Sequence, residues 1–161
     1  SLESAFKTPM LGDATKFMTA YRLQPAIIGF EDDETWGQVG GVRYPISAGT
    51  FLVMKGRLLK DEILERKENQ YWKWTIYNFK TKTLFFATKA IGEWTVMRVS
   101  PDIVNVTYSY TYYSKNRWCQ PFTWCFVKFQ KAGFMKQIMN GIKMQAESDL
   151  PLFYEEKFNR D

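Results

Sequence analysis

The chain has 161 residues, of which 45% are hydrophobic and 24% are charged, a balance that excludes intrinsic disorder and a fibrous repeat. This length predicts one domain over residues 1–161, with a sizeable core. The net charge of +5 is scattered along the chain, so neither nucleic-acid binding nor stable membrane insertion is predicted. Aromatic residues make up 17% of the chain, which indicates a wide interior or an exposed apolar face.

Histidine is absent, and only two cysteines are present. The lack of histidine excludes Ser-His-Asp and Cys-His nucleophile systems and histidine metal sites, and we predict no metal and no other cofactor. Cys119 and Cys125 stand at the entry of a predicted helix, too far apart for an unstrained disulfide. Free thiols, with no long apolar run and no leader sequence, predict a soluble cytoplasmic protein.

The N-terminal region is predicted to be extended at first and then to form one or two short helices. Pro9 and Gly12 disfavour a helix at the start, whereas the residues that follow show helical spacing. Pro25 ends that helical pattern, and strand-like sequence begins at Ala26.

Strand patterns then continue to Tyr113. The segments AIIGFED and QVGGVRYPIS predict two strands around an acidic turn, and RLLKDEILERKEN is interpreted as a strand although a helix competes. In YWKWTIYNF, Trp72 and Trp74 share one face. A long strand follows with Gly92 in its middle, where we expect a bulge or bend.

The segment IVNVTYSYTYY gives the clearest strand pattern. Its alternation places Tyr108, Tyr110 and Tyr112 on one face, with three hydroxyl groups along it. These tyrosines could be ordinary core residues whose hydroxyls reach water at the sheet rim. Alternatively, Tyr108 or Tyr110 could donate to a ligand carbonyl or act as a general acid without histidine.

Residues 120–149 carry the one long helical pattern, and the tail from Leu150 is predicted to be frayed or docked. The lysines of the helix are expected to lie mostly off its apolar stripe. An antiparallel sheet of about six or seven strands needs one such helix to cover its face, which predicts an α+β fold. The predicted stripe consists of Phe122, Cys125 or Phe126, Phe129, Ala132, Met135, Met139 and Ile142.

This order of elements resembles the helix-grip superfamily, which includes START lipid-transfer domains, pollen-allergen-like proteins and bacterial polyketide cyclase/dehydrase-type proteins. The resemblance rests on WGQVGGVRYP (Trp36 to Pro45), DEILERKENQYWKWTIYN, AIGEWTV and VTYSYTY. Family members usually begin with a strand, for which only residues 2–9 are available here. The resemblance implies a helix-grip fold: a curved antiparallel sheet wrapped around a long C-terminal helix, with short N-terminal helices. It also implies a cavity for a hydrophobic small molecule such as a lipid, sterol or polyketide.

The candidate ligand-binding residues combine aromatic rings with one cation. The indoles are expected to pack in the core, with stacking on a planar ligand as the alternative. Arg43 is expected to pair with the acidic turn at residues 31–34, with recognition of an anion as the alternative. Asp61 and Glu65 share a face in the predicted strand and could form an acid–base pair, although rim carboxylates are usually solvated. The candidates are Arg43, Trp72, Trp74, Trp94, Tyr108, Tyr110, Tyr112, Phe126 and Phe129.

Three functions fit these features. The leading hypothesis is binding or transfer of a hydrophobic small molecule in an internal cavity. The second is an enzyme of cyclase, dehydratase or aromatase type that acts on a polyketide-like substrate in that cavity. The third is a protein-interaction module with an aromatic surface. No motif specifies a catalytic residue or an oligomeric state.

Overall fold

The computed structural model describes residues 1–148, in which seven antiparallel strands form one curved sheet. Their order is β1-β2-β4-β5-β6-β7, with β3 paired to β2, so most strands lie beside their neighbours in the sequence. The predicted antiparallel helix-grip sheet is confirmed. The strands are β1 (Ile27–Asp32), β2 (Val42–Ser47), β3 (Gly56–Arg57), β4 (Lys60–Lys67), β5 (Tyr71–Tyr77), β6 (Ala87–Ser100) and β7 (Ile103–Ser114).

The helices lie at the two ends of the described chain. The N-terminal helix is α1 (Leu2–Leu11), and a short 3₁₀ turn follows at Ala14–Lys16. The long C-terminal helix has three parts: α2 (Gln120–Cys125), a π-helical segment (Phe126–Lys131) and α3 (Ala132–Glu147). Its predicted end at Asp149 and the tail from Leu150 lie outside the described residues. Within residues 1–148, no helix is long and apolar enough to cross a membrane. The assignment of residues 1–161 to one domain stays a prediction.

The extended start predicted for the chain is wrong, because α1 runs through Pro9. A proline inside a helix has no N–H and leaves the carbonyl four residues earlier without its usual donor. Here that carbonyl belongs to Ala5, and it accepts a hydrogen bond of 3.0 Å from Trp94 Nε1. The carbonyl of Phe6 accepts one of 2.8 Å from Trp72 Nε1. Two indoles of the sheet therefore hold the helix and supply the donor that Pro9 lacks.

The core lies between the concave face of the sheet and the helices. Phe6 of α1 stacks on Trp72 of β5 with ring centroids 4.8 Å apart, and neither side chain is exposed to solvent. From α3, Phe134, Ile138 and Ile142 are buried against the same core. The sheet and its two covering helices thus share one apolar interior.

The bulge expected at Gly92 is absent, because the pairing of β6 with β5 and β7 is regular there. The register of β6 against β7 shifts instead near the two ends of β6. Gly92 makes room for an indole, since a Cβ added at this position would lie 2.3 Å from Cε2 of Trp74. The glycine is therefore required by the packing of a ring and not by a bend.

Gly92→Ala is expected to lower the free energy of unfolding by about 2 kcal/mol or more, because the buried indole of Trp74 must move. Gly29→Ala is the matched control, since a Cβ there would meet no atom within 4 Å. Urea unfolding of both variants measures the difference. Equal stabilities would contradict the assigned role of Gly92.

The predicted stripe of the C-terminal helix is wrong over its first half. Phe122 and Phe129 are exposed, at 55% and 57%. A turn of the π-helical segment contains more residues than a turn of an α-helix. The side chains after the segment therefore face a different direction from the one that a continuous α-helix would give them. Phe134, Ile138 and Ile142 form a second apolar stripe at helical spacing. The sequence pattern alone did not show which of the two stripes faces the sheet. The buried residues of the helix are Thr123, Gln130, Lys131, Phe134, Ile138 and Ile142.

Candidate functional site

A cavity of about 130 Å³ lies between the concave face of the sheet and the C-terminal helix. Residues 17–27 and the turn at residues 81–84 contribute side walls. From the sheet, the lining includes Arg43, Asp61, Trp74, Ile76, Trp94, Tyr108, Tyr110 and Tyr112. From the helix, it includes Phe126, Gln130, Lys131, Phe134, Ile138 and Ile142.

A second cleft of about 390 Å³ lies between α1, the start of β7 and α3. Its apolar residues include Val106 and Met139, and charged side chains of Asp102, Lys143 and Glu147 also line it. The first cavity is smaller, yet it holds the buried polar groups and most of the predicted site residues. We therefore regard the first cavity as the candidate site.

The tyrosines of β7 form a row of rings along the cavity, as the alternation predicted. Trp74 stacks on Tyr108 with centroids 5.8 Å apart and meets the edge of Tyr110 at 5.9 Å. Its Nε1 donates a hydrogen bond of 3.3 Å to Tyr110 Oη, and Tyr112 continues the row 5.6 Å beyond Tyr110. Burial raises the pKa of Tyr108 and of Tyr110 well above the ordinary value of 10, so both phenols stay protonated at neutral pH and serve as hydrogen-bond donors.

Arg43 does not pair with the acidic turn at residues 31–34, contrary to the prediction. Its Nε lies 3.2 Å from Oδ2 of Asp61, and both side chains are buried. The antiparallel register sets Arg43 of β2 directly opposite Asp61 of β4, with both side chains on the concave face. The guanidinium also lies over the ring of Trp36, 4.1 Å from its centroid. The cation is thus held by a carboxylate and an aromatic face within the cavity wall.

The acid–base pair of Asp61 and Glu65, considered as an alternative from the sequence, is not formed. A register shift between Ile63 and Glu65 breaks the alternation of β4, and Glu65 forms an ion pair with Lys67 instead. Asp61 stays inside, where burial raises the pKa of its carboxyl and the nearby guanidinium opposes that rise. Its Oδ1 has no hydrogen-bond partner among residues 1–148.

Lys131 is the functional candidate that the sequence reasoning missed. It was expected outside the helix stripe, but its side chain is buried and lines the cavity. The Nζ atom lies 4.2 Å from the ring centroid of Tyr110, 5.2 Å from that of Phe134 and 5.9 Å from that of Tyr112. Burial lowers the pKa of Lys131 to about 8. Lys131 lies three residues before Phe134 and therefore on the same face of the helix. A stripe centred on Phe134 would have predicted that Lys131 faces the cavity.

The structure brings together seven of the nine sequence-predicted site residues. Trp72 lies outside the cavity because it packs on α1, and Phe129 points away from the sheet and meets Trp124, 6.2 Å between centroids. Ligand binding by the other seven stays a prediction. Those that line the cavity are Arg43, Trp74, Trp94, Tyr108, Tyr110, Tyr112 and Phe126.

The fold is similar to that of several solved structures of the pollen-allergen-like class. Ara h 8.0201 matches with a TM-score of 0.62 and 18% identity, over 89% of this chain and 90% of that one. Norcoclaurine synthase from Thalictrum flavum matches with a TM-score of 0.60 and 16% identity, over 92% and 88%. Major latex-like protein 151 from Panax ginseng matches with a TM-score of 0.59 and 14% identity, over 92% and 90%.

These likenesses show the class of fold, and the resemblance inferred from the sequence is confirmed at that level: the chain has the helix-grip fold. No protein-family model matches the sequence. No curated protein matches it either. The function must therefore be argued from the cavity.

Proposed function

We propose that the protein binds a hydrophobic small molecule in the cavity between the sheet and the C-terminal helix. The observation that supports this proposal is an internal space lined mainly by aliphatic and aromatic side chains, with a few polar groups among them. Small-molecule sites have this composition, in which apolar walls supply affinity and placed polar atoms supply orientation. Each Å² of apolar ligand surface removed from water contributes about 25 cal/mol.

The size of the cavity favours a compact ligand. Pockets for drug-sized molecules measure roughly 300–1,000 Å³, whereas this one holds about 130 Å³. An apolar cavity of about 150 Å³ accommodates benzene. A single aromatic ring therefore fits the space as it stands, and the lipid, sterol or polyketide suggested by the resemblance would require lining side chains to move.

Binding of small neutral aromatic compounds tests this proposal. Toluene and indole are expected to raise the melting temperature and to give saturable binding by calorimetry. Ile138→Phe places extra volume in the cavity and should abolish binding, whereas Met144→Phe on the exposed side of α3 should leave it unchanged. Equal binding by both variants, or the absence of binding by every small aromatic compound tried, would contradict the proposal.

A second proposal is an enzyme of cyclase, dehydratase or aromatase type. Norcoclaurine synthase, whose fold is similar, is an enzyme by its name. The observation that favours this alternative is the Lys131 amine, whose pKa of about 8 suits proton transfer near neutral pH. Under this hypothesis Lys131→Met should abolish turnover of a polyketide-like substrate and Tyr110→Phe should reduce it. Unchanged turnover in both variants would contradict it.

The proposed cellular setting follows from the thiols. Cys119 and Cys125 are both free in the structure. Unpaired cysteines are typical of a reducing compartment, and we propose a cytoplasmic location on that basis. Fractionation of the native source tests this proposal, and recovery from an oxidising compartment would contradict it.

A further inference from the structure

Among residues 1–148, the cavity carries one positive charge that no acidic lining group balances. Arg43 and Asp61 neutralise one another across the β2–β4 pair. Lys131 forms no ion pair with any of residues 1–148, and its recorded contacts are with the rings of Tyr110, Tyr112 and Phe134. The titratable or charged groups that line the cavity are Arg43, Asp61, Tyr108, Tyr110, Tyr112 and Lys131.

A buried ammonium group without a counter-charge is unfavourable, because the rings replace only part of the hydration that it loses. A ligand that brings a negative charge to Nζ would compensate for that loss. A neutral ligand of the same shape would not. The cavity therefore discriminates by charge as well as by shape.

The helix holds this ammonium group in a fixed place. Lys131 is the last residue of the π-helical segment, and such segments are common at functional sites. The neighbouring Gln130 donates a hydrogen bond of 2.9 Å from Nε2 to the carbonyl of Tyr21, and Arg22 donates to the carbonyl of Phe129. The turn that carries Lys131 is thus tied to residues 21 and 22 by two hydrogen bonds, which preorganises the cation.

We propose that Lys131 anchors the anionic group of the ligand, and that the ligand is a single-ring aromatic carboxylate. This inference rests on the proposed binding function and specifies its ligand class. The ring packs among the side chains of β7 and the helix, and the acidic group meets Nζ. The protonated phenol of Tyr110 lies beside it as a further donor, because Trp74 uses only an acceptor position of that hydroxyl.

The pH dependence of binding follows from the same geometry. An anion beside Nζ favours the protonated amine, so binding should raise the pKa of Lys131 above its value of about 8 in the free protein. At a pH between the pKa of Lys131 in the free protein and its pKa in the complex, binding is accompanied by protonation of the amine. Affinity for an anion is therefore expected to be highest below pH 8 and to fall as the pH rises towards 10. The cavity tyrosines keep their protons over this range, because burial raises the pKa of each above 10.

Calorimetry with benzoate and its neutral isostere benzamide tests the inference. The unmodified protein should bind benzoate at least about tenfold more tightly than benzamide at pH 7. Lys131→Met should remove that preference and the pH dependence. Lys128→Met is the control, because Lys128 lies three residues earlier, is exposed, and contacts Trp124 outside the cavity.

Each other outcome contradicts the inference in a distinct way. Equal affinities for benzoate and benzamide would overturn the charge recognition and leave the proposed binding function standing. If Lys128→Met reduces the preference for benzoate as much as Lys131→Met does, the anion binds at the protein surface and not in the cavity. If toluene, indole, benzoate and benzamide all fail to bind, the proposed function and this inference both fail.

Discussion

Arg43→Met is expected to lower the free energy of unfolding by about 3–5 kcal/mol, the range found when one partner of a buried ion pair is removed. The apolar stem of methionine keeps the packing against Trp36 but leaves Asp61 as a buried carboxylate without its cation. Urea unfolding at pH 7 measures the loss. Arg57→Met is the control, since Arg57 pairs with Glu31 on the exposed surface and its loss should have little effect on stability.

The double variant Arg43→Met/Asp61→Leu shows whether Arg43→Met lowers stability because Asp61 loses its charge partner or because side-chain volume is lost. Removal of both charges should restore most of the stability, because apolar residues of similar size often replace a buried pair without cost. The loss in Arg43→Met alone should also shrink as the pH falls towards 4. Without Arg43 the pKa of Asp61 rises further, and the folded state is favoured once that carboxyl is protonated. A double variant as unstable as the single one, or a loss independent of pH, would contradict this account.

Lys131→Met is expected to stabilise the protein by about 3 kcal/mol at pH 7. The folded state lowers the pKa of Lys131 from 10.5 to about 8, and each pKa unit corresponds to about 1.4 kcal/mol. This penalty on the folded protein is fully present below pH 8 and disappears as the pH rises to 10.5. The stability difference between the variant and the unmodified protein should therefore vanish near pH 10.5. Urea unfolding at both pH values measures it.

Lys128→Met serves as the control for the lysine variant, because Lys128 is exposed and should show no such pH-dependent gain. A Lys131→Met variant that is less stable than the unmodified protein at pH 7 would mean that its ammonium is already compensated. The expected gain also has a functional meaning. A buried charge that lowers stability is compatible with a functional role, and the role proposed above is recognition of a charged ligand.

The sheet and the tyrosine row could be predicted because their signals are local. Alternation along β7 is strict, so the shared face of Tyr108, Tyr110 and Tyr112 follows from the sequence without knowledge of any partner. The same holds for Trp74 on β5. Alternation along a strand determines which side chains share a face unless a bulge shifts the register. Such a shift occurs in β4 between Ile63 and Glu65.

The missed features depend on groups that are distant in the sequence. A helix through Pro9 is stable here because an indole 89 residues away from Ala5 supplies the lost hydrogen bond. The partner of Arg43 is set by the pairing of two strands, and the inward turn of Lys131 accompanies a π-helical segment. None of these appears in local propensity, so the cavity walls were predicted better than the charges inside the cavity.

The hydrogen bonds between α1 and the two indoles also set an order of events in folding. A ten-residue helix that contains a proline is too short to persist alone, and its indole contacts span 66 and 89 residues. During synthesis α1 leaves the ribosome well before Trp72 and Trp94. We therefore expect it to gain lasting structure only after β5 and β6 have paired, so that its docking completes the interior of the protein.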